Sequence, residues 1–268
     1  MSERCVGLIV LLVALTVSTA AQAHHPVSES GIAWVEPVST ASVEVTASSF
    51  DFGERFRGDW QTVTPRLEWA FAERWSASVR APIAHLHFSD GRRAIGLADL
   101  ELSGKYRIVA TEHGEFILSG GLGTALPTGD REVGLGAGHV EFSPFLTLSS
   151  QPAPWLIFSG LINERLSLGK PETAVDSQGP HGSILSPHAS HELEGRLAAT
   201  ALVGPAYLTA GWDQIVSLTG EMGHLSAARL ELGYAQAGGF RFSAGAKLPL
   251  LGQPRYRWQV TAGAALFF

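Results

Sequence analysis

From about residue 40 to the C-terminus, apolar and polar side chains alternate at every second position in one segment after another. Successive side chains of a strand point to opposite faces, so a period of two sustained over eight or more residues means a β-strand with one apolar and one polar face. In the last segment Tyr256, Trp258, Val260, Ala262, Ala264, Leu266 and Phe268 share one face, and Arg255, Arg257, Gln259, Thr261, Gly263 and Ala265 share the other. The same division separates Leu100, Leu102, Tyr106 and Ile108 from Glu101, Ser103, Lys105 and Arg107. It also separates Phe240, Phe242 and Leu248 from Arg241, Ser243 and Lys247, and Val63, Leu67, Trp69 and Phe71 from Thr62, Thr64, Arg66 and Glu68. Twelve such runs are expected, near 40–50, 60–71, 74–86, 97–109, 114–126, 138–149, 154–165, 188–202, 205–217, 225–236, 238–249 and 255–268. Around Trp155 to Glu164 both faces are apolar, and the pattern does not say which one points out.

The connections between these runs alternate between short and long, as in Gln151-Pro152-Ala153 against the long stretch from Leu166 to Pro187. An even number of strands with short turns at one end and longer loops at the other is the rhythm of a transmembrane antiparallel β-barrel with both termini in the periplasm. Aromatic side chains give a separate indication, because amphipathic rings favour the two membrane interfaces. Trp69, Phe71, Trp75, Phe116, Trp155, Tyr234, Phe240 and Phe268 fall at strand ends on the short-turn side, with Phe142, Trp212 and Tyr256 toward the other end. The fold class expected is therefore all-β, a barrel of about twelve strands in the outer membrane of a Gram-negative bacterium.

The one long apolar run, Val6 to Val17, follows Arg4 and ends in Ala21-Gln22-Ala23, which is the layout of a signal peptide. Residues 1–23 are expected to be removed, 24–38 to form a periplasmic tail and 39–268 to form the barrel, leaving 245 of the 268 residues. The single cysteine, Cys5, falls in the removed segment, so neither a disulfide nor a thiol nucleophile is expected. A net charge of −6, with 16% charged residues spread thinly, argues against nucleic-acid binding. The expected partners are the outer-membrane bilayer, the barrel assembly machinery and a small solute, with no cofactor and no enzymatic activity.

Two groups of residues carry a resemblance. Trp258, Leu266 and the final Phe268 look like the C-terminal aromatic signal by which outer-membrane barrels are recognised for assembly. Ala98-Asp99-Leu100-Glu101-Leu102-Ser103-Gly104-Lys105-Tyr106, followed by Gly121-Leu122-Gly123-Thr124-Ala125-Leu126-Pro127-Thr128-Gly129-Asp130, resembles the outer-membrane family named after the meta-pathway of phenol degradation. That resemblance implies a channel or transporter for a small solute, an aromatic or other organic compound among the candidates, without fixing which.

With the apolar faces turned to lipid, the opposite residues line a lumen. The candidate solute path comprises Arg66, Glu68, Arg80, Glu101, Lys105, Arg107, Glu192, Glu194, Arg196, Arg229, Glu231, Arg241, Lys247 and Arg257, together with Glu44, Glu115, Glu141, Asp213 and Arg255. Charges of both signs either select solutes or fill the interior with ion pairs.

His85 and His87 share one strand face and could grip a metal ion, which with His24, His25, His181, His188 and His191 raises the alternative of a metal-handling barrel in a resistance or efflux system. His188-Ala189-Ser190 raises another, a lipid-modifying hydrolase, since a nucleophilic hydroxyl needs an adjacent base. His191-Glu192 begins like a zinc-protease motif but lacks the second histidine. Gly134, Gly136 and Gly138 read as glycines of a flexible outer loop.

Overall fold

The computed structural model describes residues 35–268 except 53–55, 113, 169–182, 220–222 and 237–238. The expected signal peptide and nearly all of the tail lie outside the described residues, as do His24, His25 and His181. In chain order the strands are β1 (Thr40–Asp51), β2 (Arg57–Ala72), β3 (Trp75–Arg80), β4 (Ile83–Phe88), β5 (Arg93–Leu97), β6 (Leu100–Ala110), β7 (Phe116–Leu126), β8 (Val140–Ala153), β9 (Leu156–Leu168), β10 (His191–Val203), β11 (Ala206–Ser217), β12 (His224–Ala235), β13 (Phe240–Gly252) and β14 (Trp258–Phe267).

Every pairing is antiparallel, and β1 pairs with both β2 and β14, so the sheet closes on itself. Closure removes the sheet edges that would otherwise expose unpaired N–H and C=O groups. β2 pairs with β3 along its second half and β4 along its first, and β3 and β4 are successive pieces of one barrel strand interrupted at Ala81-Pro82. β5 and β6 likewise form one strand interrupted at Ala98-Asp99. Fourteen segments thus make the expected twelve-stranded barrel.

The interruption at Ala98-Asp99 is a change of register. Arg80 faces Glu101 while Ile83 faces Leu97, so the β5/β6 side carries one extra residue, as at a β-bulge. One extra residue exchanges the two faces. Ile95 and Leu97 point outward before it, and Leu102 and Ile108 after it. The run expected from 97 therefore leaves out β5, because the alternation breaks where the register shifts.

Apolar side chains cover the outside, with Leu197 68% and Trp69 62% exposed, while Thr46, Thr64, Glu68, Lys105, Thr209 and Glu231 are buried inside. All eight aromatics assigned to the short-turn end are exposed on the outer surface. In β9 the ambiguity resolves with Phe158 and Ile162 outward and Ile157 and Leu161 inward.

The β10–β11 connection is a two-residue turn, Gly204-Pro205, and Gly204 has φ +60°. Glycine reaches positive φ without a Cβ clash, and proline supplies the fixed negative φ that follows.

Two features depart from a uniformly polar interior. Phe50, Trp60, Leu86 and Phe88, all inward-facing near the long-loop end, pack with Phe56, Leu135 and Ile184 into a buried apolar cluster. Leu135 and Ile184 belong to the β7–β8 and β9–β10 connections, so these segments fold against the barrel wall. The last strand starts at Trp258 rather than at 255. Tyr256 therefore leaves the outer face, and Lys247 Nζ lies 5.9 Å from its ring centroid.

Candidate functional site in the barrel lumen

The inward positions collect the charged side chains into local clusters, most of them spanning neighbouring strands. Toward the short-turn end, the Glu68 carboxylate receives Arg66 at 2.7 Å, Lys105 at 2.8 Å and the Ser76 hydroxyl at 2.7 Å. Further along β3 and β6, Arg80 pairs with Glu101 at 2.7 Å. Across the lumen, Arg196 pairs with Glu194 at 2.6 Å, and Asp213 receives Arg229 at 2.6 Å and Lys247 at 2.7 Å. Tyr207 donates to Glu231 at 3.2 Å, and the Arg241 guanidinium lies 4.9 Å from the Phe267 ring centroid.

Two adjoining cavities run through this interior. The one nearer the short turns is about 370 Å³ and is lined by Arg66, Arg80, Lys105, Arg196, Arg229, Arg241 and Lys247 against only Glu44, Glu68 and Glu101 among carboxylates. The one nearer the long loops is about 440 Å³ and reverses the balance, with Glu44, Asp99, Glu101, Glu141 and Glu194 against Arg80, Arg165 and Arg196. Arg80, Glu101, Arg196, Phe145 and Leu161 line both and so mark the level where the cavities meet. The Phe145 ring reaches this position because it lies over Gly121, where a Cβ would come within 2.3 Å of it.

Beyond the outer cavity the loops cross the mouth. Arg255, from the β13–β14 connection, reaches Glu192 on β10 and donates to the Pro187 carbonyl at 2.8 Å. Arg165 stands 3.6 Å from Glu141 and 4.0 Å from Glu192. The β7–β8 loop is held by Asp99, whose carboxylate accepts from Gly129 N at 2.9 Å and Ala137 N at 2.7 Å. Thr128 Oγ1 donates to the Ala98 carbonyl at 3.0 Å and accepts from Leu100 N at 2.9 Å. The segments that carry the sequence resemblance thus fasten to one another, Asp99 and Thr128 bridging the bulge to the loop.

The glycines of this loop are closely packed. A Cβ on Gly136 would meet the Gly129 carbonyl at 2.4 Å, and one on Gly134, at φ +85°, would meet Ile184 at 2.6 Å. They serve close approach within a folded-in loop, and the reading of them as flexible does not match that packing.

Most of the expected path residues do face the interior, but Glu192, Asp213, Glu231 and Arg255 are buried among their partners outside the lining of the two cavities, and three others lie at the barrel ends. Arg257 is exposed at the long-loop rim beside Asp51, because β14 begins only at the next residue. Arg107 sits at the short-turn mouth, paired with Glu36 at 2.6 Å and Glu73 at 2.8 Å. Glu115 is exposed in the turn before β7.

His85 and His87 alternate with the inward-facing Ala84, Leu86 and Phe88, and so stand on the outer face of β4. Among the described residues no third ligand-type side chain gathers beside them. His188 directs Nδ1 to the Ser186 carbonyl at 2.7 Å and Nε2 to Glu141 at 3.0 Å, which commits both ring nitrogens away from the Ser190 hydroxyl. His191 pairs with Glu164 at 2.7 Å.

Arg165 and Tyr207 escaped the sequence reading. Arg165 lies in the strand whose two faces are both apolar, and Tyr207 looks from sequence like another girdle aromatic.

No protein-family model matches the chain, and no curated protein matches it in sequence. Solved structures do match in fold. An outer membrane channel from Pseudomonas putida F1 superposes with a TM-score of 0.66 at 11% identity, over 94% of this chain and 100% of that one. The NanC porin gives 0.56 at 8% identity, over 85% and 98%, and the KdgM porin 0.50 at 10% identity, over 85% and 99%. The chain therefore has the closed-barrel fold of outer-membrane channels and porins.

Proposed function

We propose that the chain is an outer-membrane channel for a small, negatively charged organic solute, such as an aromatic or aliphatic carboxylate. The observation that carries this reading is the short-turn-side cavity, where seven basic side chains meet three carboxylates. The Asp213 and Glu231 carboxylates are buried in the wall behind Arg229, Lys247 and Tyr207, so the surface presented to a solute is cationic. Charged rings of one sign set the selectivity of a narrow aqueous path. The fold is shared with channels, and the KdgM porin has been solved in complex with disordered oligogalacturonate, which concerns that protein. Membership of the phenol-degradation family, export with cleavage after Ala23, and recognition of Trp258, Leu266 and Phe268 by the barrel assembly machinery belong to the same proposal.

Purified protein in a planar bilayer under a salt gradient tests it. The expected result is a small conductance whose reversal potential has the anion-selective sign, with Arg241→Glu and Lys247→Glu moving it toward cations. No conductance from a barrel that shows heat-modifiable gel mobility, or a cation-selective reversal potential, overturns it. Fractionation tests the location, and recovery as a soluble periplasmic protein rejects the membrane reading.

A further inference from the structure

One cluster of ligand-type side chains lies outside the basic cavity, with Glu141 at the wall of the outer one. His139, at the end of the β7–β8 loop, Glu141 on β8 and His188, just before β10, converge with their donor atoms all within 4.8 Å of one another. Their side chains are 7%, 9% and 1% exposed. His139 Nε2 lies 3.3 Å from His188 Nε2, and Glu141 Oε1 lies 3.0 Å from the His188 nitrogen and 3.8 Å from the His139 nitrogen.

The chemistry of these contacts suits a cation. His188 Nδ1 is 2.7 Å from the Ser186 carbonyl oxygen, which can only accept, so Nδ1 carries the hydrogen and neutral His188 turns the lone pair of Nε2 toward the cluster. That lone pair faces a carboxylate oxygen and a second imidazole nitrogen. With His139 in the tautomer that leaves its Nε2 bare, three electron-rich atoms stand at this spacing and repel one another unless positive charge lies between them. A proton on His188 satisfies one edge of the triangle, whereas a metal ion satisfies all three.

The distances also fit. Two donors about 2.0–2.1 Å from a tetrahedral zinc-class ion stand about 3.3 Å apart. The observed edges of 3.0, 3.3 and 3.8 Å scatter about that value. The Ser186 carbonyl fixes the His188 ring as outer partners of metal-bound histidines do, and the other Glu141 oxygen lies 3.6 Å from Arg165. Two imidazoles and one carboxylate suit zinc better than calcium or magnesium, which prefer all-oxygen shells.

We infer that His139, Glu141 and His188 bind one divalent ion of the zinc class, fastening the β7–β8 loop and the segment before β10 to the wall of the outer cavity.

The full barrel, stripped with chelator in detergent and then titrated with Zn²⁺, tests it. The expected result is one tightly held zinc per chain, which His139→Ala and Glu141→Gln each weaken by about 100-fold or more while gel mobility stays heat-modifiable. The His85→Ala, His87→Ala double variant is expected to keep that zinc. Cobalt in place of zinc should give the intense visible absorption of a tetrahedral site, lost in the same variants. Absence of tightly held zinc in the unaltered barrel overturns the inference. Retention of the same zinc affinity in a folded His139→Ala, Glu141→Gln double variant overturns it as well, since the ion would then be elsewhere, for instance at His24 and His25.

Discussion

Glu68 is enclosed by Arg66, Lys105 and Ser76 at hydrogen-bonding distance and is 1% exposed, so its charge is held by partners rather than by water. Breaking such a buried set from one side leaves like charges facing each other and costs about 3–5 kcal/mol. Glu68→Ala should therefore lower the urea midpoint of unfolding followed by tryptophan fluorescence, and Glu68→Gln, which keeps the shape but not the charge, should fall nearly as far. An unfolding midpoint equal to that of the unaltered protein would show that lumen water already screens the cluster.

Asp99 is the second residue on which local order depends. Its two oxygens each accept one backbone N–H of the β7–β8 loop, and hydrogen bonds to a charged group are worth about 1.5–3 kcal/mol each. Asp99→Ala should expose the 127–137 loop to protease while the barrel keeps its heat-modifiable mobility, and Asp99→Asn, with one carbonyl oxygen left, should fall between. Equal protection in Asp99→Ala would mean that Thr128 and the packed glycines hold the loop without it. Neither role shows in the sequence by alternation alone. Glu68 is recognisable as an inward residue, but its partners beyond Arg66 come from β3 and β6, and Asp99 sits at a register shift where inward and outward exchange.

At the scale of the strand, alternation was legible wherever the two faces differ in chemistry. β2, β6 and β13 set charged or hydroxyl side chains against hydrocarbon over most of their length, β14 sets Gln259 and Thr261 against Trp258 and Val260, and their facing follows directly. It was illegible in β9, where Ile157 and Leu161 point inward as Phe158 and Ile162 point outward, and Arg165 was lost with it. It was also illegible across Ala98-Asp99, because a bulge shifts the phase of the pattern without changing its period.

The outer face makes its own prediction. Leu230 lies midway along the 12-residue β12 and is 53% exposed, whereas Val203 adjoins the Gly204-Pro205 turn and is 72% exposed. A charge on the lipid face costs about 2–4 kcal/mol at the bilayer midplane and about 0–1 near the interface. Leu230→Arg should thus depress folding into lipid vesicles strongly and Val203→Arg barely, although Val203 is the more exposed of the two. Equal effects would mean that the outer face does not contact a bilayer of the expected depth.

For the molecule as a whole, the barrel wall is nearly symmetric while its contents are not. One end of the lumen is rich in basic side chains, the other is rich in carboxylates and crossed by loops, and Phe145 and Leu161 lie where the two meet. An aromatic ring at that level narrows the path without adding charge, so it should limit the rate of passage more than the choice of ion. Phe145→Ala removes the ring while leaving Arg80, Glu101 and Arg196 in place around the same level. It should raise single-channel conductance several-fold with little change in reversal potential, in contrast to Lys247→Glu, which should shift the reversal potential with a smaller change in conductance. If Phe145→Ala conducts no better than the unaltered barrel, the resistance lies instead in the loop crossing built by Arg255, Glu192 and Pro187. In that case Arg255→Ala, which frees the crossing, becomes the variant expected to open the channel.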